Sequence, residues 1–303
     1  MRRAPALILG YHRVADRARD PHALCVKPER FAAQLAELSR VADVVPLAEI
    51  TRPSRRPQVA LTFDDGYRDN LTAAYPLLHR AEASATFFIT TGMLDQPHEF
   101  WWDRLERLLL AEDVSATQLD VTVAETTLWL DARTSTARKR AHWALHQRLL
   151  GCPPEIVDRV LDQVAEQLGL QAEARQENLP LTSAQLGSLA AAEGTEIGAH
   201  TVTHARLADL STARQRSEIA GSRQALEARI GHRVRSFAYP FGGPDALDDV
   251  TTRLVAAEGL ARGCTTMEGP VMRRADPFLL PRCTVRDWDA AEFGRRIGRW
   301  LQG

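Results

Sequence analysis

Apolar residues fall along the chain in two kinds of run. Short ones, Leu7 to Tyr11, Val59 to Phe63, Ser84 to Thr90, Glu196 to His200 and Val234 to Tyr239, predict strands, with Val59 to Phe63 and Ser84 to Thr90 continuous enough to be buried. Val41 to Val45, Arg262 to Thr266 and Leu279 to Val285 predict further strands. Between them, Lys27 to Arg40 places Phe31, Leu35 and Leu38 at helical spacing behind Pro28, and Thr212 to Ile230 predicts a long helix stopped by Gly231. Tyr67 to Ala81, with a kink at Pro76, Thr182 to Glu193, capped by Thr182, Leu247 to Glu258 and Ala290 to Leu301 complete the helices. Strand and helix alternate, so the pattern predicts an α/β fold with a largely parallel sheet.

The alternation breaks between about residues 93 and 180. That segment holds Phe100-Trp101-Trp102, a helical run from Asp103 to Leu110, an alternating patch from Leu119 to Leu130, and two helical stretches, Ala137 to Leu150 and Glu155 to Leu168. Because the α/β rhythm resumes afterwards, the segment reads as an inserted, mainly helical subdomain within one domain spanning residues 1–303. Its aromatic run reads either as a lid that stacks on substrate or as an ordinary helical core.

Composition adds boundaries. The chain has 303 residues, 45% hydrophobic and 25% charged, which fits one large α/β domain or two small ones with ample core. A net charge of -1 leaves no electrostatic footprint for nucleic acid or an anionic membrane. Pro5 and Gly10 interrupt the first apolar stretch, which is too short for a signal-peptide core, and no run reaches membrane-spanning length. The expectation is a cytoplasmic protein. Cys25, Cys152, Cys264 and Cys283 lie far apart and predict reduced thiols.

Chemistry gathers at strand ends. The run Val59 to Phe63 stops at Asp64-Asp65-Gly66, and the carboxyl ends of parallel strands are where such folds place their sites. Adjacent carboxylates are costly unless a cation or a proton separates their roles, although Asp64 as a helix cap and Asp65-Gly66 as a turn is the simpler alternative. His200 and His204 close another strand, and a spacing of four lets two imidazoles reach one metal ion. His142 and His146 share that spacing but sit among Arg138, Lys139, Arg140 and Arg148, which predicts a solvated helix face.

These residues resemble a known family. Thr62-Phe63-Asp64-Asp65-Gly66-Tyr67, His200-Thr201-Val202-Thr203-His204 and Phe237-Ala238-Tyr239-Pro240-Phe241-Gly242 are similar to the first three motifs of the polysaccharide deacetylases, the NodB-homology or carbohydrate esterase family 4 domain. The resemblance implies a distorted (β/α) barrel of about seven strands, fewer than the usual eight. It also implies a divalent metal, most commonly zinc, on Asp65, His200 and His204, with Asp64 as general base. Tyr239, Pro240, Phe241 and Gly242 would line the acyl site, with a backbone N–H near Phe241 facing the oxyanion; a plain strand-terminating turn is the alternative.

The chain departs from the family pattern in three places. No histidine follows His232, where the family usually places its general acid; Leu9-Gly10-Tyr11-His12 looks like that last motif moved to the front, and makes His12 the acid. A barrel's first strand neighbours its last, so a permuted order preserves the site. The alternative for His12 is a buried histidine bonded to a loop carbonyl. Ala238 stands where many relatives carry an arginine that orients the base, leaving Arg235 as a replacement. Asp287-Trp288 resembles the fourth motif, with Asp287 supporting the acid and Trp288 walling the acetyl pocket; a helix-start Asp and a core Trp is the other reading.

The sequence therefore predicts a metal-dependent hydrolase that removes an acetyl group from an N-acetylated amino sugar or glycan intermediate. Another amide, an O-acetyl ester, or a non-catalytic sugar-binding barrel are the alternatives.

Overall fold

Among the described residues of the computed structural model, 4–112, 118–170, 173–272 and 274–302, seven parallel strands curl into a half-barrel. They are β1 (Ala6–Tyr11), β2 (Gln58–Phe63), β3 (Ala85–Ile89), β4 (Thr195–Ala199), β5 (Ser236–Ala238), β6 (Arg262–Cys264) and β7 (Cys283–Thr284), in the spatial order β6-β5-β4-β3-β2-β1-β7. The two-residue strand Asp43–Val44 pairs on β2 outside this row, shorter than the expected Val41 to Val45.

Each long strand is buried along its length because its two faces meet different cores. Val59, Leu61 and Phe63 of β2 point to the core under the helices, whereas Ala60 points to the barrel interior with Ile8, Phe88, Ala238 and Cys264. On the helix side Tyr11, Phe63 and Phe87 stack across three strands, with centroids 5.3 and 5.1 Å apart, and Phe31 meets the first two edge-on. Each such buried ring contributes roughly 1.5–3 kcal/mol by leaving water. The inner side is tight: a Cβ on Gly198 would lie 2.4 Å from the Phe88 ring.

Helices pack outside in the expected places. α1 (Pro28–Val41) buries Phe31, Leu35 and Leu38; α3 (Ser183–Ala190) begins with a Thr182–Gln185 capping box; α4 (Thr212–Ile230) ends at left-handed Gly231; α5 (Asp249–Ala257) and α6 (Ala290–Gln302) follow. One expectation fails. The Tyr67 to Ala81 stretch is not one kinked helix: Asn70–Ala74 is a π-helical turn and α2 spans only Tyr75–Arg80. Pro76 follows the π-helical turn directly, with Ala74 and Tyr75 before it still in helical backbone, so the irregularity falls where the missing N–H interrupts the helix ladder.

The run Leu279 to Val285 is also shorter as a strand than expected, because Pro281 interrupts it, yet it joins both edges of the sheet. Leu280 bridges to Cys264 of β6, while Cys283 and Thr284 pair with Leu9 and Gly10 of β1. Register then aligns the carboxyl ends. Tyr11 pairs with Phe63, Phe63 with Phe87, Ile89 with Ala199, and Ala199 with Phe237, so His12, Asp64 and His200 leave their strands on one rim.

The chain divides into two compact units, Met1–Asp95 with Leu181–Gly303, and Gln96–Pro180; Met93 to Asp95 thus go with the first. In the second unit, helices Trp101–Leu110, Ser135–Leu149 and Pro154–Leu168 pack with an antiparallel hairpin, Gln118–Val123 and Thr126–Asp131. The hairpin's inward residues Leu119, Val121 and Val123 join Leu105, Leu145 and Val160 in a separate core. The His142–His146 pair is not on a solvated face: His142 is 3% exposed, and His146 lies between Trp101 and Trp143 at 5.0 and 5.9 Å. Phe100 and Trp102 are likewise buried, stacked on each other at 4.7 Å, which favours the core reading over the lid. Among the described residues, no helix is long and apolar enough to cross a membrane.

Candidate metal centre and its surroundings

β2 ends in a turn that sends two neighbouring carboxylates apart. The Asp64 N–H donates to Tyr11 O at 3.0 Å, continuing the ladder, and the Gly66 N–H donates back to Asp64 O at 2.9 Å around Asp65, whose φ is 74°. This is a γ-turn with a positive central φ, a rare and strained form. Gly66 follows at φ 88°, where a side chain would be strained and its Cβ would press on Ile89 at 3.1 Å. Strain at this point separates the two acids' surroundings: Asp65 meets histidines and Asp64 meets an arginine.

Asp65 Oδ1 lies 3.5 Å from His200 Nε2 and 3.2 Å from His204 Nε2. The three ligand atoms fall within 4.8 Å of one another, all on buried or nearly buried side chains. His200 Nδ1 is 2.8 Å from Ala238 O, so that nitrogen carries the proton and Nε2 presents its lone pair. Asp65 Oδ1 is buried and accepts no hydrogen bond among the described residues. Burial alone would raise the Asp65 pKa, but the His200 and His204 imidazoles beside it hold it well below the carboxylate range. Burial dominates at His204 and pushes its pKa down; at His200 burial also pulls down, but Asp65 and Asp64 together outweigh it and raise it. Two imidazoles and an ionised carboxylate, with an orphaned buried oxygen among them, are the donor set of a zinc-like divalent ion.

Asp64 turns into the barrel interior and meets Arg282 in a paired fork, Nη1 to Oδ1 and Nη2 to Oδ2, both 2.7 Å. Arg282 is itself fixed, donating from Nε to Thr265 O at 2.9 Å and from Nη1 to Thr62 Oγ1 at 3.1 Å, and is 1% exposed. Burial opposes ionisation of Asp64, yet the Arg282 charge, with lesser help from His200 and His12, lowers its pKa. Arg235 does not replace the missing arginine: it is exposed on the approach to β5, whereas the arginine that meets Asp64 is Arg282. A signal was present. Arg282 interrupts the apolar run Leu279 to Val285, and a charge buried in a strand needs an opposite charge.

His12 follows β1 directly and bears electrostatically on both Asp64 and Asp65. Its carbonyl accepts from Asn70 Nδ2 at 2.8 Å, and the next residues are pinned by Asp69, which accepts from Val14 N and Arg13 Nε. Asp287 does not support His12. It accepts the Lys27 N–H at 2.9 Å at the start of α1 and pairs with Arg30. Trp288 is half-buried, packing with Trp300 at 6.0 Å and beneath the Arg296 guanidinium at 4.1 Å.

Beyond β5, the Gly242 N–H donates to Pro240 O at 2.7 Å around Phe241, φ 63°, a second γ-turn of the same strained kind. Gly242 has no room for a side chain, since a Cβ would lie 2.6 Å from Thr266 N. The Phe241 ring stands edge-on to His204 at 4.9 Å, and its N–H donates to no group among the described residues. Tyr239 is fully buried and sends its hydroxyl to Phe278 O at 2.8 Å, so it serves the packing of β5 rather than a substrate.

Glu218 of α4, not foreseen from the sequence, accepts the N–H groups of Val202 and Thr203 and the Thr203 hydroxyl. Those bonds span the His200–His204 loop, where Thr201 and His204 both take positive φ. Left-handed backbone costs about 1–3 kcal/mol per residue, and hydrogen bonds to a charged group contribute about 1.5–3 kcal/mol each. The two are therefore comparable.

Against known proteins, the chain matches the family model for polysaccharide deacetylases over residues 51–117 and 174–260, just over half its length. Solved structures share the fold. The Streptococcus pyogenes deacetylase PplD in complex with acetate aligns at a TM-score of 0.64 and 19% identity over 100% of both chains. IcaB from Ammonifex degensii aligns at 0.61 and 16% identity, covering 99% of this chain and 98% of that one. The BpsB deacetylase domain from Bordetella bronchiseptica aligns at 0.56 and 18%, covering 93% and 96%. No curated protein matches the chain in sequence. His12 and Arg282 both lie outside the residues that the family model matches.

Proposed function

The chain belongs to the polysaccharide deacetylase family, and from that premise we propose that it is a metal-dependent hydrolase removing the acetyl group of an N-acetylated amino sugar. Asp65, His200 and His204 would hold one divalent ion, zinc by the character of its donors. Bound there, such an ion supplies a water of lowered pKa and polarises the acetyl carbonyl. Asp64, held ionised and oriented by Arg282, accepts the proton of the attacking water. The Phe241 N–H donates to the carbonyl oxygen as negative charge grows on it. His12, on the strand end beside Asp64, delivers a proton to the departing amine.

The observation that carries this reading is the pairing of two adjacent acids with unlike partners: Asp65 with two imidazoles, Asp64 with one guanidinium. A sugar-binding barrel without catalysis has no use for the second arrangement.

Acetate release from a panel of N-acetylated substrates tests the reading. Small glycosides, nucleotide- or lipid-carried sugars and long polymers belong in one panel. Activity should vanish after chelation and return with zinc. His200→Ala should abolish both zinc uptake and turnover, whereas His146→Ala should change neither. Acetate release that survives complete removal of metal would defeat the proposal.

A further inference from the structure

The geometry points to Glu218 as the residue that sets the metal affinity of the centre, by holding the histidine loop in its strained shape without touching the ion. This rests on the metal-dependent reading above.

The loop from His200 to His204 is gripped from two sides. On one, Thr201 O and Val202 O accept from the Thr91 and Gly92 N–H groups at 3.2 and 2.7 Å. That contact is backbone on backbone and so close that a Cβ on Gly92 would lie 2.5 Å from Val202 O. On the other, a single side chain does the work. Glu218 Oε2 accepts from Val202 N at 2.8 Å and Thr203 N at 2.9 Å, and Oε1 accepts from Thr203 Oγ1 at 2.8 Å. α4 can approach this closely because Gly221, one turn on, leaves space where a Cβ would stand 3.2 Å from the Val202 side chain.

The two ligand histidines depend on this grip unequally. His200 continues β4: its N–H donates to Ile89 O at 3.1 Å and its ring is tied to Ala238 O. It stays in place whatever the loop does. His204 comes after three residues of loop and has φ 59°, and its Nε2 reaches Asp65 only if Thr201, φ 62°, is also held left-handed. Neither residue is glycine, so both relax to ordinary backbone once the restraint goes. Releasing Glu218 therefore withdraws one ligand of three. Glu218 itself is no ligand, since its oxygens are occupied by the loop and it lies outside the ligand cluster.

Zinc titration of the full-length, metal-stripped protein against a chromophoric chelator tests this. Outer-shell residues of metal sites typically change affinity by about 10–100-fold when removed. Glu218→Ala should weaken zinc binding by that much. Glu218→Gln should lose less than about tenfold, because its amide oxygen still accepts both N–H groups and its NH2 still faces the Thr203 hydroxyl. Should Glu218→Ala fail to fold, Thr203→Val removes only the third bond and should weaken binding in the same direction by less. Wild-type affinity in Glu218→Ala, or in Thr203→Val where the first does not fold, overturns the assignment. A loss in Glu218→Gln as large as in Glu218→Ala also overturns it, because the effect would then be one of charge rather than loop geometry. A wild-type protein that takes up no zinc would instead bring down the metal-dependent reading itself.

Discussion

His12 and Asp64 stand on neighbouring strand ends and are asked to move protons in opposite directions. A departing amine needs its proton far more than an activated phenoxide does, so the acid can be separated from the base by choice of substrate. His12→Ala should keep its zinc and lose about 10²–10⁴-fold on an N-acetyl sugar, with a much smaller loss on an aryl acetate. Asp64→Ala should lose rate on both. Equal losses in His12→Ala, or loss of its metal, would make His12 a structural residue or a ligand. Arg282 gives a second separation. Arg282→Lys keeps the charge but not the paired fork on Asp64, and misplacing a catalytic group by about 1 Å can cost about 100-fold. We expect kcat for acetate release to fall 10- to 100-fold, with KM and zinc affinity unchanged; an unchanged kcat would reduce Arg282 to a counter-charge. At this scale the Asp65, His200 and His204 cluster was legible, because acids and histidines at strand ends are uncommon and share one rim. Arg282 was not singled out, because its partner lies 218 positions away and nothing in local pattern links them.

Elements were read well where burial alone sets the pattern and poorly where backbone hydrogen bonding departs from the regular. The alternation from Leu119 to Leu130 became a hairpin with one face in a core, whereas the π-helical turn at Asn70–Ala74 has no hydrophobic signature distinct from an α-helix. Glu99 shows how the second unit is tied together. Its 1%-exposed carboxylate accepts from Arg107 at 2.8 Å, Arg175 at 2.7 Å and Asn178 at 2.9 Å, joining the start of helix Trp101–Leu110 to the segment at 175–178. Burial would raise its pKa, but the two arginines lower it below the ordinary 4.5. A depressed folded-state value means that this stabilisation is complete above the unfolded pKa and is lost as pH falls through the folded one. Glu99→Gln should therefore destabilise the unit by about 3–5 kcal/mol at neutral pH. In urea unfolding at a series of pH values the gap from wild type should close below about 4.5. A gap independent of pH would show that shape, not charge, is what Glu99 provides.

For the molecule as a whole, the permuted order is harmless because a curled sheet brings its first and last strands together. β1 lies between β2 and β7, so His12 at the start of the chain occupies the place that a final strand would otherwise supply. What chain order does change is where a second unit can be inserted. It enters after β3 and returns before α3, and its two ends are already in register: Asp95 N–H donates to Leu181 O at 3.3 Å. The proposed ligands Asp65, His200 and His204, the proposed base Asp64 and acid His12, and Arg282 and Glu218 all belong to the other unit. Joining Asp95 to Leu181 through a short Gly-Ser linker in place of residues 96–180 should then leave the metal centre intact. The closing entropy for so short a loop is small, since loop cost grows only logarithmically with length. We expect the shortened protein to bind one zinc ion per chain with affinity within about tenfold of the full chain, the lower edge of what a disturbed outer shell costs. Stoichiometric zinc with lost acetate release would assign the second unit to substrate recognition. Loss of zinc with retained far-ultraviolet dichroism would show that the centre depends on the second unit, and would refute its independence.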